Sequence, residues 1–162
     1  METDQPKREV TINRVFDAQV ELVWRAWTDP DMLAKWWGPR GVTNPVCEVD
    51  ARVGGKIHIV MLAGKEMGSF EGTRWPMTGK FIEVIPSKKL VYSGVAIEDR
   101  EKGPQLETTT TVEFEAVGEK TRLTMHMVVT KATDLPQVKF AIDGMTAGWT
   151  QSLDKLGEEL ES

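Results

Sequence analysis

Residues 106–130 read LETTTTVEFEAVGEKTRLTMHMVVT, and this stretch decides the fold. Its halves flank Gly118-Glu119, a two-residue turn in which glycine at the first position suits a type II′ hairpin. The turn length sets the register: Val117 pairs with Lys120, Phe114 with Leu123 and Val112 with Met125 on one face. The other face then sets Glu115 against Arg122 and Thr111 against His126. Apolar and polar pairs separate cleanly, as an antiparallel sheet with one wet face requires.

Such a sheet needs a cover for its apolar face, and the residues after it supply one. Val138, Ile142, Met145, Trp149, Leu153, Leu156 and Leu160 recur at spacings of three and four, one helical stripe about 35 Å long. Thr133 or Asp134 is expected to cap this helix, with Pro136 in its first turn. Gly144 and Gly148 lie one turn apart on a shared face, which predicts that a backbone or a bound molecule approaches there.

Upstream, Val10, Ile12 and Phe16 start a strand, and Asp17 is expected to cap a first helix whose apolar face is Val20, Val23, Trp24 and Trp27. Asp29-Pro30 starts a second helix and Gly38-Pro39 stops it. Trp36 and Trp37 fall about 100° apart on that helix, so one packs beneath it while the other covers a groove, a loop or a cavity mouth. Strands are predicted at 46–53, 56–62, around 67–75, 78–85 and 90–95, divided by Gly54-Gly55, Gly64, Pro76 and Pro86-Ser87. The expected order is strand, two short helices, six strands and one long helix.

Composition bounds the function classes. The 162 residues are 40% hydrophobic and 28% charged, an ordinary globular balance, with a formal net charge of −5. That charge offers no basic footprint for nucleic acid. The apolar runs are strand-length, so membrane insertion is not expected. Residues 1–8 are polar, without the apolar core of a secretory signal, and are expected to be a disordered lead-in to one domain over 9–162. One cysteine, Cys47, excludes an internal disulfide and fits a reducing compartment, so cytoplasmic residence is expected.

Several blocks in order resemble a known family: Phe16-Asp17-Ala18, residues 23–30 (VWRAWTDP), Trp36-Trp37-Gly38-Pro39, residues 49–55 (VDARVGG), and Gly148-Trp149 followed by residues 152–156 (SLDKL). They resemble the family named after the activator of the heat-shock-protein-90 ATPase, within the SRPBCC superfamily of START-like, Bet v 1-like folds. The resemblance spans about residues 8–160. It implies an α+β helix-grip fold: a curved antiparallel sheet of six or seven strands around a long C-terminal helix, with two short helices after the first strand and a cavity between sheet and helix. The eukaryotic activators carry a further N-terminal domain, and the resemblance covers only their C-terminal one.

Within that implied cavity the ligand-binding candidates are Ile59, Met61, Met125, Met127, Ile142, Met145 and Trp149, with Trp37 and Trp75 at the entrance and Thr110 supplying a hydroxyl. Methionines suit a pocket that adapts to varied apolar shapes, although the same residues would also fill an ordinary core. No catalytic residue, cofactor or metal is assigned. His58 and His126 fall on the polar sides of their strands, so no zinc or histidine-centred site is expected. Asp50, near Arg52, and Glu71 and Glu83 read as solvated or paired carboxylates. The function expected first is binding of an apolar or amphipathic small molecule. A chaperone-interacting module comes second, and a cyclase- or hydrolase-type enzyme third. A homodimer is compatible with the fold class.

Overall fold

The computed structural model describes residues 8–161. Seven strands form one antiparallel sheet in the order β1-β7-β6-β5-β4-β3-β2. They are β1 (Glu9–Phe16), β2 (Val42–Val49), β3 (Lys56–Ala63), β4 (Arg74–Ile85), β5 (Lys89–Asp99), β6 (Gly103–Val117) and β7 (Lys120–Ala132). Helices α1 (Val20–Thr28) and α2 (Pro30–Leu33) follow β1, and α3 (Pro136–Asp143) and α4 (Met145–Glu161) close the chain. The sheet curls around the helices as a helix-grip fold.

The decisive hairpin has the register its turn dictates, including Phe114–Leu123, Val112–Met125, Glu115–Arg122 and Thr111–His126. Gly118 has φ +64° and Glu119 has a negative φ, as a type II′ turn demands. On the inner face Leu123 and Met125 are fully buried. Outside, Arg122 pairs with Glu115 at 2.8 Å and His126 with Glu9 at 2.6 Å.

Several boundaries differ from expectation. Gln19, not Asp17, precedes α1, and its side chain makes no cap. Asp29 does cap α2, accepting from the Asp31 and Met32 N–H groups ahead of Pro30. That helix ends at Leu33, so Trp36 and Trp37 sit in the turn beyond it. Strand β2 begins at Val42 rather than 46. It is an edge strand whose register shifts between Thr43 and Val46, so the bulge accommodates Pro45. No strand covers 67–73: Lys65–Phe70 form a 3₁₀ turn, and only Arg74 and Trp75 of the stretch expected as a strand lie in one, the start of β4. Strand β4 instead runs straight through Pro76, which pairs with Val60 of β3 and lies before the part of β4 that meets β5. A missing N–H costs no ladder bond on that side.

The C-terminal stripe is broken into two helices at Gly144, whose N–H still donates to the Phe140 carbonyl. Neither Thr133 nor Asp134 caps the first of them; Leu135 holds that position. No other element crowds Gly144 or Gly148, and a side chain at Gly148 would meet open space. The glycine of α4 that is closely approached is Gly157, 3.5 Å from the Phe16 ring when a Cβ is added. The expectation of disorder over 1–8 lies outside the described residues except at Arg8, whose carbonyl already accepts from Val129.

Polar contacts moor α4 on two sides. Arg14 of β1 reaches Asp154 at 2.7 Å and the Thr150 carbonyl at 3.4 Å. From the turn after α2, Arg40 pairs with Glu158 and donates its backbone N–H to Gln151, while Lys155 donates to the Pro39 carbonyl.

Candidate functional site

The inner face of the sheet carries Ile57, Ile59 and Met61 of β3, Trp75, Met77 and Phe81 of β4, Leu90 and Tyr92 of β5, Thr110 and Val112 of β6, and Met125 and Met127 of β7. Strand alternation delivers these side chains to one surface. Ile59, Thr110, Met125 and Met127 are buried there, while Met61, Met145 and Trp149 are half-buried against the same core.

Aromatic rings occupy the middle of the grip. Trp149 stacks on Trp27 with centroids 6.0 Å apart and meets Trp37 edge-on at 5.1 Å. Trp27 meets Trp36 at 4.7 Å, and Trp36 Nε1 donates to the Ala26 carbonyl at 2.9 Å. Both tandem tryptophans are therefore interior. Trp37 is 8% exposed and does not stand at an entrance. Asn44 locks this arrangement by donating from Nδ2 to the Ala34 and Trp37 carbonyls, both at 2.9 Å.

The hollow expected beneath Trp149 is consequently small. Three indoles meet there, and beside Trp27 and Trp37 lies a cavity of about 10 Å³ lined by these two and by Leu33, Val49, Ile57, Ile59, Phe81, Leu90 and Tyr92. That is room for about one water molecule. Within its walls, Trp27 Nε1 and Tyr92 Oη are buried without a hydrogen-bond partner. Burial pushes the Tyr92 phenol well above its ordinary pKa; the nearby Thr110 hydroxyl acts in the opposite sense, short of full hydrogen-bond geometry. A larger trough of about 570 Å³, lined by Val20, Lys88, Glu113 and Arg122 among others, lies outside the grip and is open to solvent.

Trp75 and Ile142 do not join the core. Trp75 pairs across the sheet with Met61 and belongs to a separate aromatic group. Its ring lies 5.9 Å from Phe70, which in turn lies 5.6 Å from Phe140 of α3. Phe70 is 41% exposed and Phe140 62%. Neither was anticipated from the sequence, because Phe70 sits in the 3₁₀ turn and Phe140 lies off the helical stripe. Met77 was missed as well; it faces inward two residues beyond Trp75 and rests against Gly94.

His58 and His126 lie on the outer face beside Glu48 and Glu9. Asp50 pairs with Arg52 at 2.8 Å and Glu83 with Lys89 at 3.3 Å. Among the described residues no cluster of three or more His, Cys, Asp or Glu could hold a metal ion. No described helix is long and apolar enough to cross a membrane.

Residues 17–161 match the family model described as Activator of Hsp90 ATPase homolog 1-like protein. The chain belongs to this family. Among solved structures, a Nitrosomonas europaea protein is 27% identical with TM-score 0.75, over 94% of each chain. A Chromobacterium violaceum protein is 26% identical with TM-score 0.75, over 96% of this chain and 98% of its own. A protein from Arthrobacter aurescens is 26% identical with TM-score 0.75, over 94% of this chain and 86% of its own. No curated protein matches the sequence. The tryptophan-bearing turn after α2 and the paired short helices lie within the matched span.

Proposed function

We propose that this member of the activator-homolog family binds an apolar or amphipathic small molecule at the open end of the grip. The observation that carries this reading is an aromatic trio, the exposed Phe70 and Phe140 with the half-buried Trp75, which adjoins a methionine-bearing inner surface. Exposed aromatic groups in contact with one another cost solvation and mark sites where something apolar is received. Met61, Met77 and Met145, packed against the core, adapt to varied shapes. The closed tryptophan centre argues for a seat at this end rather than beneath Trp149. The interior ionisable group, Tyr92, is held protonated, which suits recognition better than base catalysis.

A thermal-shift panel of lipids and aromatic compounds, with native mass spectrometry of freshly purified protein, tests the reading. Binders raise the melting temperature in a dose-dependent way, and Phe70→Ser with Phe140→Ser weakens that rise. A panel without any shift, together with a bare protein mass, overturns it.

The family match supports a second reading, a chaperone-interacting module. Its test is ATP turnover by the host's chaperone with and without the protein; unchanged turnover dismisses it.

A further inference from the structure

Of the buried side-chain donors without a partner among the described residues, Trp27 Nε1, Tyr92 Oη and Thr133 Oγ1, the first two belong to side chains lining the same hollow. Trp27 comes from α1 and Tyr92 from β5, and neither Trp27 Nε1 nor Tyr92 Oη is bonded. Buried polar groups in native folds are satisfied as a rule, so an unmet pair at one cavity calls for an acceptor. An indole N–H only donates, and a protonated phenol donates. The remaining walls, including Leu33, Ile57, Ile59 and Leu90, offer no counter-charge. A carboxylate would be stranded there, and a cation would meet two donors. What fits is a neutral oxygen acceptor.

We infer that this hollow is the inner end of the ligand site, where Tyr92 Oη and Trp27 Nε1 receive a carbonyl or ether oxygen of the bound molecule. The inference rests on the proposed function and adds the ligand's polar requirement. At about 10 Å³ the hollow admits an oxygen but not a ligand's body. The body lies toward the open end, one step along each strand: Ile59 leads to Met61 on β3, and Tyr92 to Gly94 on β5. Met77 covers that step. It pairs with Ile59, and its Cε lies 2.9 Å from where a side chain at Gly94 would begin. A methionine resting on a glycine is a displaceable cover, because its unbranched side chain has three rotatable bonds.

The test uses 1-acetonaphthone and 1-ethylnaphthalene, which share a shape and differ in the carbonyl. Calorimetric titration of each into the native protein and into Tyr92→Phe reads the anchor directly; circular dichroism checks that the variant, which loses one oxygen, keeps its fold. The ketone binds the native protein about tenfold more tightly than the hydrocarbon. In Tyr92→Phe that ratio falls towards one while the hydrocarbon's affinity holds. Equal affinities in the native protein, or a ratio that survives in Tyr92→Phe, overturn the anchor and leave apolar binding standing. Binding of neither compound overturns both.

Discussion

Trp149 of α4 lies parallel to Trp27 of α1, their ring planes 7° apart and their centroids separated by 6.0 Å. The two positions are far apart in the chain, and their contact joins the C-terminal helix to the first one. Trp37 closes the group edge-on against Trp149. Such aromatic pairs add about 0.5–1.5 kcal/mol each beyond the area they bury.

Truncating Trp149 removes two ring contacts and opens a void that its neighbours cannot fill. Trp149→Ala lowers stability by about 2–4 kcal/mol, less than the largest core truncations because the ring is only half-buried. Urea unfolding followed by circular dichroism measures this, and a loss below about 1 kcal/mol would show that the stack contributes little.

The turn after α2 depends on one backbone conformation. Gly38 has φ +89°, and a Cβ there would come within 2.6 Å of Met61 Sδ and 2.7 Å of Val42 Cγ2. Gly38→Ala therefore costs about 2 kcal/mol or more, strain and crowding acting together. At Gly118 φ is also positive but the space is open, so Gly118→Ala costs only about 1 kcal/mol. Equal losses in parallel denaturation curves would contradict the crowding.

Asn44 acts on the same turn from β2. Asn44→Ala leaves the Ala34 and Trp37 carbonyls without its amide, with an expected loss of about 1–3 kcal/mol. Hydrogen exchange supplies the local readout: protection at the Trp36 and Trp37 amides falls more than protection in β6. A uniform fall across both would assign Asn44 a general rather than a local role.

Tyr92 is the chain's one tyrosine, so the phenolate increment at 295 nm, above the background of six tryptophans, belongs to it alone. Burial raises its pKa from an ordinary 10.0, and the folded state holds the proton more tightly than the unfolded one. Stability from this group is whole below pH 10 and is lost as pH climbs above it through the folded value. Phenolate absorbance accordingly appears only with alkaline unfolding, and Tyr92→Phe flattens the decline of stability above pH 10. Ionisation near pH 10 with circular dichroism unchanged would refute the buried hydroxyl.

Cys47 titrates in the same sense. Burial first, then the charges of Asp31 and Glu48, push its thiol from 9.0 up to about 11. Alkylation by iodoacetamide at pH 8 is about a hundredfold slower than at an unperturbed thiol, from thiolate fraction alone. The rate rises about tenfold per pH unit until near pH 11. A plateau at pH 9 would place Cys47 in water instead.

Local chemistry determined much of this fold. Two turn residues and a one-sided apolar pattern were enough to register ten residue pairs of the β6–β7 hairpin, from Val117–Lys120 to Thr108–Val129, because a one-residue slip would turn every inner side chain outward; beyond Thr108 a bulge shifts the pairing by one. Asp29-Pro30 announced a capped helix, and strand alternation put His58 and His126 outside. Pro76 misled because a proline inside β4 is excluded only where both neighbours pair, and edge geometry is invisible from one strand. The break at Gly144 was hidden because the apolar stripe stays in phase across it, so periodicity alone reads one helix where the backbone makes two.

What the sequence determined by itself was therefore most of the element types, the wet and dry faces of the β6–β7 hairpin and the family. Only the tertiary structure decided how much room the grip leaves. That volume depends on sheet curvature and on indoles from positions 27, 37 and 149 meeting in one place, and no local pattern encodes a distance between side chains so far apart in the chain. The same meeting left Trp27 and Tyr92 facing a single water-sized hollow with their donors unmet.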